Sequence, residues 1–174
     1  TAGGLYRYDI NDVSEVVGDY RGTPQIVFKR KGRGMTNLTG EKVSVNQIID
    51  AIEMTATSVE IIVSHFRSEP DLGKSRYVFK IESNAEYPQD KWASFLQSLD
   101  HQLGELNIEY KAKRASGRLG NPLLQVMKQG WYDRGKEALV ADGKRLFQAK
   151  TVLLDSKMGY QCEPEETLFE INQE

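Results

Sequence analysis

Apolar and polar residues alternate with a period of two in the first part of the chain, from Leu5 to about residue 28. Residues that favour turns interrupt the alternation at Gly18–Asp19 and at Arg21–Pro24. This alternation is typical of strands with one buried face, and Gly, Asp and Pro commonly end such strands. The pattern therefore predicts short antiparallel strands joined by tight turns.

The pattern changes at Lys29–Gly34, where basic residues are mixed with two glycines. Glycine gives the backbone wide conformational freedom, so we interpret this stretch as a hinge between two domains. Residues 1–30 would end one domain, and residues 31–174 would form a second, smaller one.

Two segments then show the spacing of amphipathic helices. Ser44 and Gln47 form a capping box, and a helix over residues 44–57 is predicted by the apolar positions that follow, namely Val45, Ile48, Ile49, Ile52 and Ala56. After Pro88, apolar residues recur at steps of three and four and predict a helix over about residues 89–106; they are Trp92, Phe95, Leu96, Leu99, Leu103 and Leu106.

Two strand patterns lie between these helices. Val59–Phe66 is rich in β-branched residues, and Arg76–Glu82 alternates cleanly. The intervening Glu69–Lys74 is rich in turn residues, so we expect a hairpin with a long loop.

The remainder of the chain predicts a strand over Leu123–Lys128, a short helix over Tyr132–Asp142, and a loop with a possible edge strand after Lys157. The resulting fold class is α+β. We expect the short N-terminal antiparallel strands to be followed by a βαββαβ-like sandwich, whose mixed or antiparallel sheet is flanked by helices.

The composition fits an ordinary globular protein. The chain has 174 residues, of which 39% are hydrophobic and 28% charged, and its net charge is −2. Because basic residues are interspersed with acidic ones outside Lys29–Arg33, a nucleic-acid partner has little support. One cysteine permits no internal disulfide, and no long apolar run or targeting segment predicts a membrane role, so we expect a cytoplasmic protein. A start at Thr1 without Met is typical of an excised or processed chain.

Two charged residues are candidates for chemistry. Asp12 follows Asn11 at an expected corner between strands, where its carboxylate could bind the two vicinal hydroxyls of a ribose or simply cap a turn. Lys42 follows Thr39-Gly40-Glu41, but its spacing fails the phosphate-loop pattern, because Glu41 separates it from Gly40 and Val43 separates it from Ser44. On the residues alone, Lys42 is also compatible with a solvated lysine ahead of a helix.

Histidine and cysteine give no sign of a metal site or of a nucleophile. His65 and His101 have no Cys or His neighbour at metal-ligand spacing, and Cys162 has no His nearby in sequence. We expect structural roles for the two histidines and no catalytic role for Cys162, and we predict no metal ligand in the chain.

Several ordered blocks carry a resemblance to a known family. Three blocks lie in the first quarter of the chain: Leu5–Tyr8 with Asp12-Val13, Pro24–Phe28, and Asn37–Lys42. Four blocks lie later: Glu109-Tyr110, Lys113-Arg114, Gly117–Gly120, and Gln148 with Lys150. Together they resemble the C-terminal portion of the auxin-responsive Gretchen Hagen family of acyl-acid amido synthetases, which are adenylate-forming enzymes. Two positions depart from the family pattern: Asn11 stands where the family has Gly, and Thr151–Leu153 where it has Val-Pro-Arg.

The resemblance implies a function and residue roles. It implies ATP with Mg²⁺ as cofactors, AMP as a product, and a carboxylic acid and an amino acid as substrates. Asp12 would hold the ribose, Phe28 would line the nucleotide pocket, Lys42 would contact a phosphate, and Lys150 would enter the active site when the small domain closes. Residues 1–30 would then end a large nucleotide-binding domain, which is the partner of the small one.

Two hypotheses of different classes stay open on the sequence. In the first, the chain is part of a ligase and is inactive alone, because its large domain is missing. In the second, it is a free-standing binding or interaction module, for which an α+β sandwich suffices without catalysis.

Overall fold

The computed structural model describes residues 12–31, 34–141, 153–154 and 160–172. The chain divides into two compact units, Thr1–Gly34 and Met35–Glu174, which are described separately. In the described residues, no helix combines the length and the apolar character that crossing a membrane requires.

The first unit contains an antiparallel hairpin of β1 (Asp12–Tyr20) and β2 (Thr23–Lys31). The turn residues Arg21 and Gly22 both have positive φ, 53° and 81°, as a tight two-residue hairpin turn requires. The predicted turn at Gly18–Asp19 is wrong, because both residues lie inside β1. The pairing register shifts between Val16 and Gly18, as in a β-bulge. A bulge interrupts the apolar–polar alternation within a strand, so in the sequence it resembles a turn.

The second unit begins with a short hairpin of β3 (Met35–Thr36) and β4 (Val43–Ser44), followed by α1 (Val45–Val59). The predicted capping box is confirmed, since Ser44 Oγ accepts from Gln47 N and Gln47 Oε1 accepts from Ser44 N. The helix buries its apolar stripe, which includes Ile48, Ala51 and Ile52.

A four-stranded mixed sheet follows, in the order β5-β6-β7-β8. Its strands are β5 (His65–Asp71), β6 (Arg76–Glu82), β7 (Leu123–Met127) and β8 (Thr167–Asn172). β6 and β7 are parallel, and the other neighbours are antiparallel. The edge strand expected near the C-terminus is therefore present as β8, and the predicted α+β class is confirmed.

Helices α2 (Gln89–Leu106) and α3 (Ile108–Ala115) connect the parallel strands β6 and β7, which a turn cannot join. α4 (Trp131–Ala141) follows β7. The core lies where α1 and α2 pack on one face of the sheet; its largest fully buried apolar side chains are Trp92, Tyr77, Tyr110, Phe79, Phe95, Ile48, Ile52, Ile81, Leu96, Leu99 and Leu103.

The strand predicted over Val59–Phe66 is wrong. Val59 ends α1, and Glu60 closes the helix in the left-handed conformation with φ 56°. The strand begins at His65 and runs through Glu69 and Pro70, so the loop expected at Glu69–Lys74 shrinks to a tight turn. β5 is an edge strand of the sheet, where a proline that donates no hydrogen bond is tolerated.

The sequence also did not predict α3. This helix has eight residues and buries one side chain, Tyr110, so it shows little apolar periodicity. Asn107 caps its first turn, since Asn107 Oδ1 accepts from Tyr110 N at 3.0 Å.

Candidate functional site

The candidate site is the loop Asn37–Lys42 at the tip of the β3–β4 hairpin, which we call the lysine loop. The pairs Met35–Ser44 and Thr36–Val43 hold its two ends together. Gly40 has φ 111°, and its N–H donates to Asn37 Oδ1 at 2.6 Å. Since few residues other than glycine adopt such a backbone conformation, glycine suits this position.

The carboxylate of Glu41 organises the lysine loop from inside. Glu41 is 1% exposed. Oε1 accepts from Leu38 N at 2.8 Å, and Oε2 accepts from Thr39 N at 2.8 Å and from the Thr39 hydroxyl at 2.9 Å. One side chain thus satisfies two backbone donors that the turn would otherwise leave unpaired.

A tyrosine of the central sheet completes the shell of donors around this carboxylate. Tyr77 lies on β6, is 1% exposed, and donates its hydroxyl to Glu41 Oε1 at 2.5 Å. Burial alone would raise the pKa of Glu41, but the hydrogen bonds from Tyr77, Leu38 and Thr39 together hold it below its usual range. Burial and the bond to Glu41 raise the pKa of Tyr77 well above its ordinary value. Glu41 is therefore the charged acceptor and Tyr77 the neutral donor.

Asn107 connects the lysine loop to the helices. Its amide Nδ2 donates to the backbone carbonyl of Glu41 at 2.9 Å and to Gln47 Oε1 at 3.3 Å, while its Oδ1 caps α3. Gln47 Nε2 in turn donates to Leu106 O at 3.0 Å. The loop is thereby tied to the start of α1 and to the junction of α2 and α3.

Lys42 is presented outward by this arrangement. Its neighbours Glu41 and Val43 are each 1% exposed, whereas Lys42 is exposed. Its φ of 48° is a left-handed conformation that costs a non-glycine residue about 1–2 kcal/mol, so the surrounding contacts must impose it. A lysine ammonium on a fixed backbone is suited to bind an anionic group such as a phosphate.

A second ammonium group lies close to the lysine loop. Lys113 on α3 packs against Gly40: a Cβ added at Gly40 would lie 3.5 Å from both Cε and Nζ of Lys113. Positive charge from two different elements therefore borders this loop.

Of the four site residues predicted from the sequence, Lys42 is the one whose side chain the structure describes. Asp12 is the first residue of β1, with its backbone opposite Lys31, and Phe28 lies in β2 opposite Ser14. The side chains of Asp12 and Phe28, and the whole of Lys150, lie outside the described residues. The roles of all four residues stay predictions.

Sequence reasoning missed Glu41, Tyr77 and Asn107 as parts of the site. In the sequence, Glu41 is the residue that separates Gly40 from Lys42 and so breaks the phosphate-loop spacing. Asn107 does carry a usable signal, because Asn directly before a helical segment is a favoured N-cap. Nothing in the alternation of β6 distinguishes Tyr77 from the other buried residues.

A second polar cluster lies on the sheet face opposite the core helices. Lys80 on β6 is 0% exposed and forms ion pairs with Glu69 at 3.0 Å and Glu163 at 2.7 Å. Lys80 also donates to Gln161 O at 2.7 Å, and Gln161 N donates to Glu69 Oε2 at 3.0 Å. These contacts hold the segment that precedes β8.

The described part of the chain contains no group of three or more His, Cys, Asp or Glu side chains placed to bind a metal ion. His65, expected to be structural, stacks on Tyr132 with ring centroids 4.1 Å apart and an interplanar angle of 6°.

Comparison with known families gives two matches. The GH3 family C-terminal domain matches residues 46–157, and the GH3 family central domain matches residues 1–31.

Curated plant proteins are similar over most of this chain. The jasmonoyl--L-amino acid synthetase JAR6 of Nicotiana attenuata is 25% identical over 155 residues, which are 85% of this chain and 26% of that protein. The probable indole-3-acetic acid-amido synthetase GH3.11 of Oryza sativa subsp. japonica is 27% identical over 161 residues, or 87% and 27% of the two chains. The chain thus spans about a quarter of the length of these relatives.

A solved structure shows the same fold. The GH3.15 acyl acid amido synthetase superposes with a TM-score of 0.80 at 19% identity, over 99% of this chain and 33% of that one. At that identity the likeness establishes the architecture.

Proposed function

This chain belongs to the GH3 family, which is the Gretchen Hagen family that its residue blocks resemble, and we propose that it is the C-terminal portion of an ATP-dependent acyl-acid amido synthetase. The match of the family's C-terminal domain to residues 46–157 carries the proposal. The similar curated proteins are named as synthetases and ligases that join an acid to an amine, which supports a ligase.

The proposed reaction has two steps. A carboxylate oxygen of the acid attacks the α-phosphorus of ATP, and the bond to pyrophosphate breaks. The amine of an amino acid then attacks the acyl carbon, the bond from that carbon to AMP breaks, and the amine loses a proton. Neither step needs an oxidant or a reductant, because both are substitutions. ATP is the reagent that activates the carboxylate.

Lys42 is the described residue that we assign to this reaction. Its exposed ammonium on the rigid lysine loop fits a phosphate group, where a fixed positive charge stabilises the oxygens that gain charge during adenylyl transfer. We further propose that Asp12 binds the ribose, that Phe28 forms a wall of the nucleotide pocket, and that Lys150 supplies a second cationic contact. A Mg²⁺ ion that accompanies ATP would take phosphate oxygens and waters as ligands, as this ion commonly does.

The proposed protein has a large domain that ends near residue 30 and a small domain over residues 31–174. Support comes from the central-domain match, which ends at residue 31, and the C-terminal-domain match, which begins at residue 46. The large domain would be the main partner of the small one, with Lys29–Gly34 as the hinge. A cytoplasmic location stays a prediction.

Isotope exchange between pyrophosphate and ATP tests this proposal. A protein that carries this chain after the rest of the family's fold should catalyse exchange when a carboxylic acid is supplied, and should form an amide when an amino acid is added. The 174-residue chain alone should do neither, because catalysis by positioning needs both walls of the cleft. Asp12→Asn in the longer protein should weaken ATP binding, since the amide loses the charge and one acceptor.

Two results would count against the proposal. Exchange catalysed by the 174-residue chain alone would refute the division of labour between the two domains. A longer protein that binds acids or amines but shows no exchange with any acid would instead favour a binding module.

A further inference from the structure

We propose that Glu41, together with Tyr77, is a positioning residue that fixes the conformation in which Lys42 meets the phosphate. The inference rests on the proposed function for the role of Lys42, but the structural device itself is independent of it. Nothing in the family match assigns a role to either residue.

The geometry of the lysine loop links the Glu41 carboxylate to the backbone of Lys42. Glu41 and Lys42 are adjacent in sequence but point to opposite sides, Glu41 into the protein and Lys42 into solvent. The Glu41 carboxylate accepts from Leu38, from Thr39 and from Tyr77, so it joins the start of the loop to the central sheet. Any movement of this carboxylate therefore moves the backbone that carries Lys42.

The backbone at Lys42 is left-handed and must be held in place by its neighbours. With φ at 48°, this residue occupies a conformation that an unconstrained lysine seldom adopts. The backbone carbonyl of Glu41 is held by Asn107 at 2.9 Å, and Val43 is buried in β4. The bonds to Glu41 and the burial of Val43 thus fix the chain on both sides of Lys42.

The charge of Glu41 suits the number of donors around it. Four donors converge on its two oxygens, namely Leu38 N, Thr39 N, the Thr39 hydroxyl and the Tyr77 hydroxyl. A carboxylate accepts at both oxygens, whereas the amide of glutamine has an NH₂ group in place of one of them. Glu41→Gln therefore keeps the volume of the side chain, but its NH₂ group, itself a donor, takes the place of an oxygen that accepts from two of these donors.

The chain offers a matched control for Tyr77. Tyr110 is also 1% exposed and also donates its hydroxyl to a carboxylate, Asp100 Oδ1, at 2.6 Å. Its acceptor lies on α2, and its ring lies 6.1 Å from the Tyr77 ring, so this control tests whether the loss of any buried hydroxyl in this part of the core is enough to disturb the loop. Tyr77→Phe and Tyr110→Phe each delete one buried hydroxyl, and only the first deletes a donor to Glu41.

The kinetic experiment uses the longer protein and the ATP–pyrophosphate exchange rate. We expect Tyr77→Phe and Glu41→Gln to lower the turnover number between about 10-fold and 100-fold, with the KM for the acid little changed, because a misplacement of about 1 Å costs this much. Tyr110→Phe should stay within about twofold of the wild type. Adding Glu41→Gln to Lys42→Ala should lower the turnover number little further than Lys42→Ala does alone, since residues that act as a unit are non-additive.

A second measurement does not depend on activity. Hydrogen–deuterium exchange of peptides that cover the lysine loop should be faster in Tyr77→Phe than in the wild type and unchanged in Tyr110→Phe, with α2 protected in all three proteins. If the longer protein is inactive but the loop exchanges faster in Tyr77→Phe, the proposed function fails and the positioning device stands. If exchange in the loop is the same for both tyrosine variants, or if Glu41→Gln and Lys42→Ala have fully additive effects on turnover, the positioning role is overturned.

Discussion

At the scale of single residues, the proposed site centres on two neighbours of opposite charge and opposite burial. Glu41 is enclosed and fully hydrogen-bonded, and Lys42 is exposed. A buried carboxylate that accepts from backbone donors gives a loop a fixed shape. The backbone from which the exposed lysine side chain extends is then fixed as well. Under the proposed function, this arrangement would hold Lys42 in place for a phosphate although the loop lacks a phosphate-loop motif.

Removing the Lys42 ammonium should slow adenylation in the longer protein. We expect Lys42→Ala to lower the exchange rate by about 10²-fold, because one preorganised electrostatic contact to a developing oxyanion contributes about that much. Lys74→Ala is the control, since Lys74 is also exposed, in the turn between β5 and β6. Equal exchange rates in the two variants would show that Lys42 does not contact the reacting phosphate.

The charge of Glu41 predicts a pH dependence of stability. Its pKa in the folded chain lies below the ordinary value of 4.5, so its contribution to stability is complete above that value and is lost as the pH falls through the folded pKa. Urea unfolding should therefore show a gap between the wild type and Glu41→Gln that is constant near neutral pH and narrows below about pH 4.5. A gap that widened on acidification would mean that the folded pKa is raised.

At the scale of elements, the sheet has two faces of different character. One face is apolar and packs on α1 and α2, and the other carries the buried ion pairs of Lys80. Lys80 reaches Glu69 on the neighbouring strand and Glu163 in the segment before β8. The polar face therefore fixes the course of the chain into the edge strand.

Breaking this cluster should destabilise the fold strongly. Glu69→Gln leaves the Lys80 ammonium buried with one of its two carboxylate partners removed, and we expect a loss of about 3 kcal/mol in the free energy of unfolding. Glu105→Gln is the control, because the Glu105–Lys111 pair is exposed and such pairs contribute little. Urea denaturation of both variants measures the difference, and similar midpoints would mean that the Lys80 cluster is not a source of stability.

At the scale of the whole molecule, the β1–β2 hairpin is the part that exposes large apolar side chains on both strands. Val16 and Ile26 are cross-strand partners, and their side chains are 64% and 65% exposed. Val17, Tyr20 and Val27 are also exposed. A two-stranded hairpin is marginally stable alone, and the hairpin lies within the segment that matches the family's central domain. We propose that the rest of that domain covers these side chains.

This proposal predicts a substitution whose effect depends on context. Ile26→Ser should destabilise the longer protein by about 2–4 kcal/mol, as the loss of a buried isoleucine does, and should leave the thermal midpoint of the 174-residue chain unchanged. Leu72→Ser is the control, because Leu72 is 70% exposed in the second unit and should be neutral in both proteins. Equal thermal shifts in the two contexts would refute the idea that the hairpin is covered.

The sequence by itself determined the elements whose signals are local. The Ser44–Gln47 capping box and the apolar stripe specified α1, the steps of three and four after Pro88 specified α2, and the alternation of Arg76–Glu82 specified β6. Each of these signals depends on residues within about four positions of each other, so a pattern in the chain is enough. These elements together predicted the α+β class, and the residue blocks indicated the family.

The tertiary structure alone decided the features that depend on distant partners. The strand β5 starts at His65 because it pairs with β6, although the preceding Val59–Val63 has the stronger strand composition. Glu41 became part of the site through Tyr77, 36 positions away, and Asn107, 66 positions away. The physical reason is that a sheet register and a buried hydrogen-bond network form between segments that folding brings together, and no periodicity along the chain records those pairings.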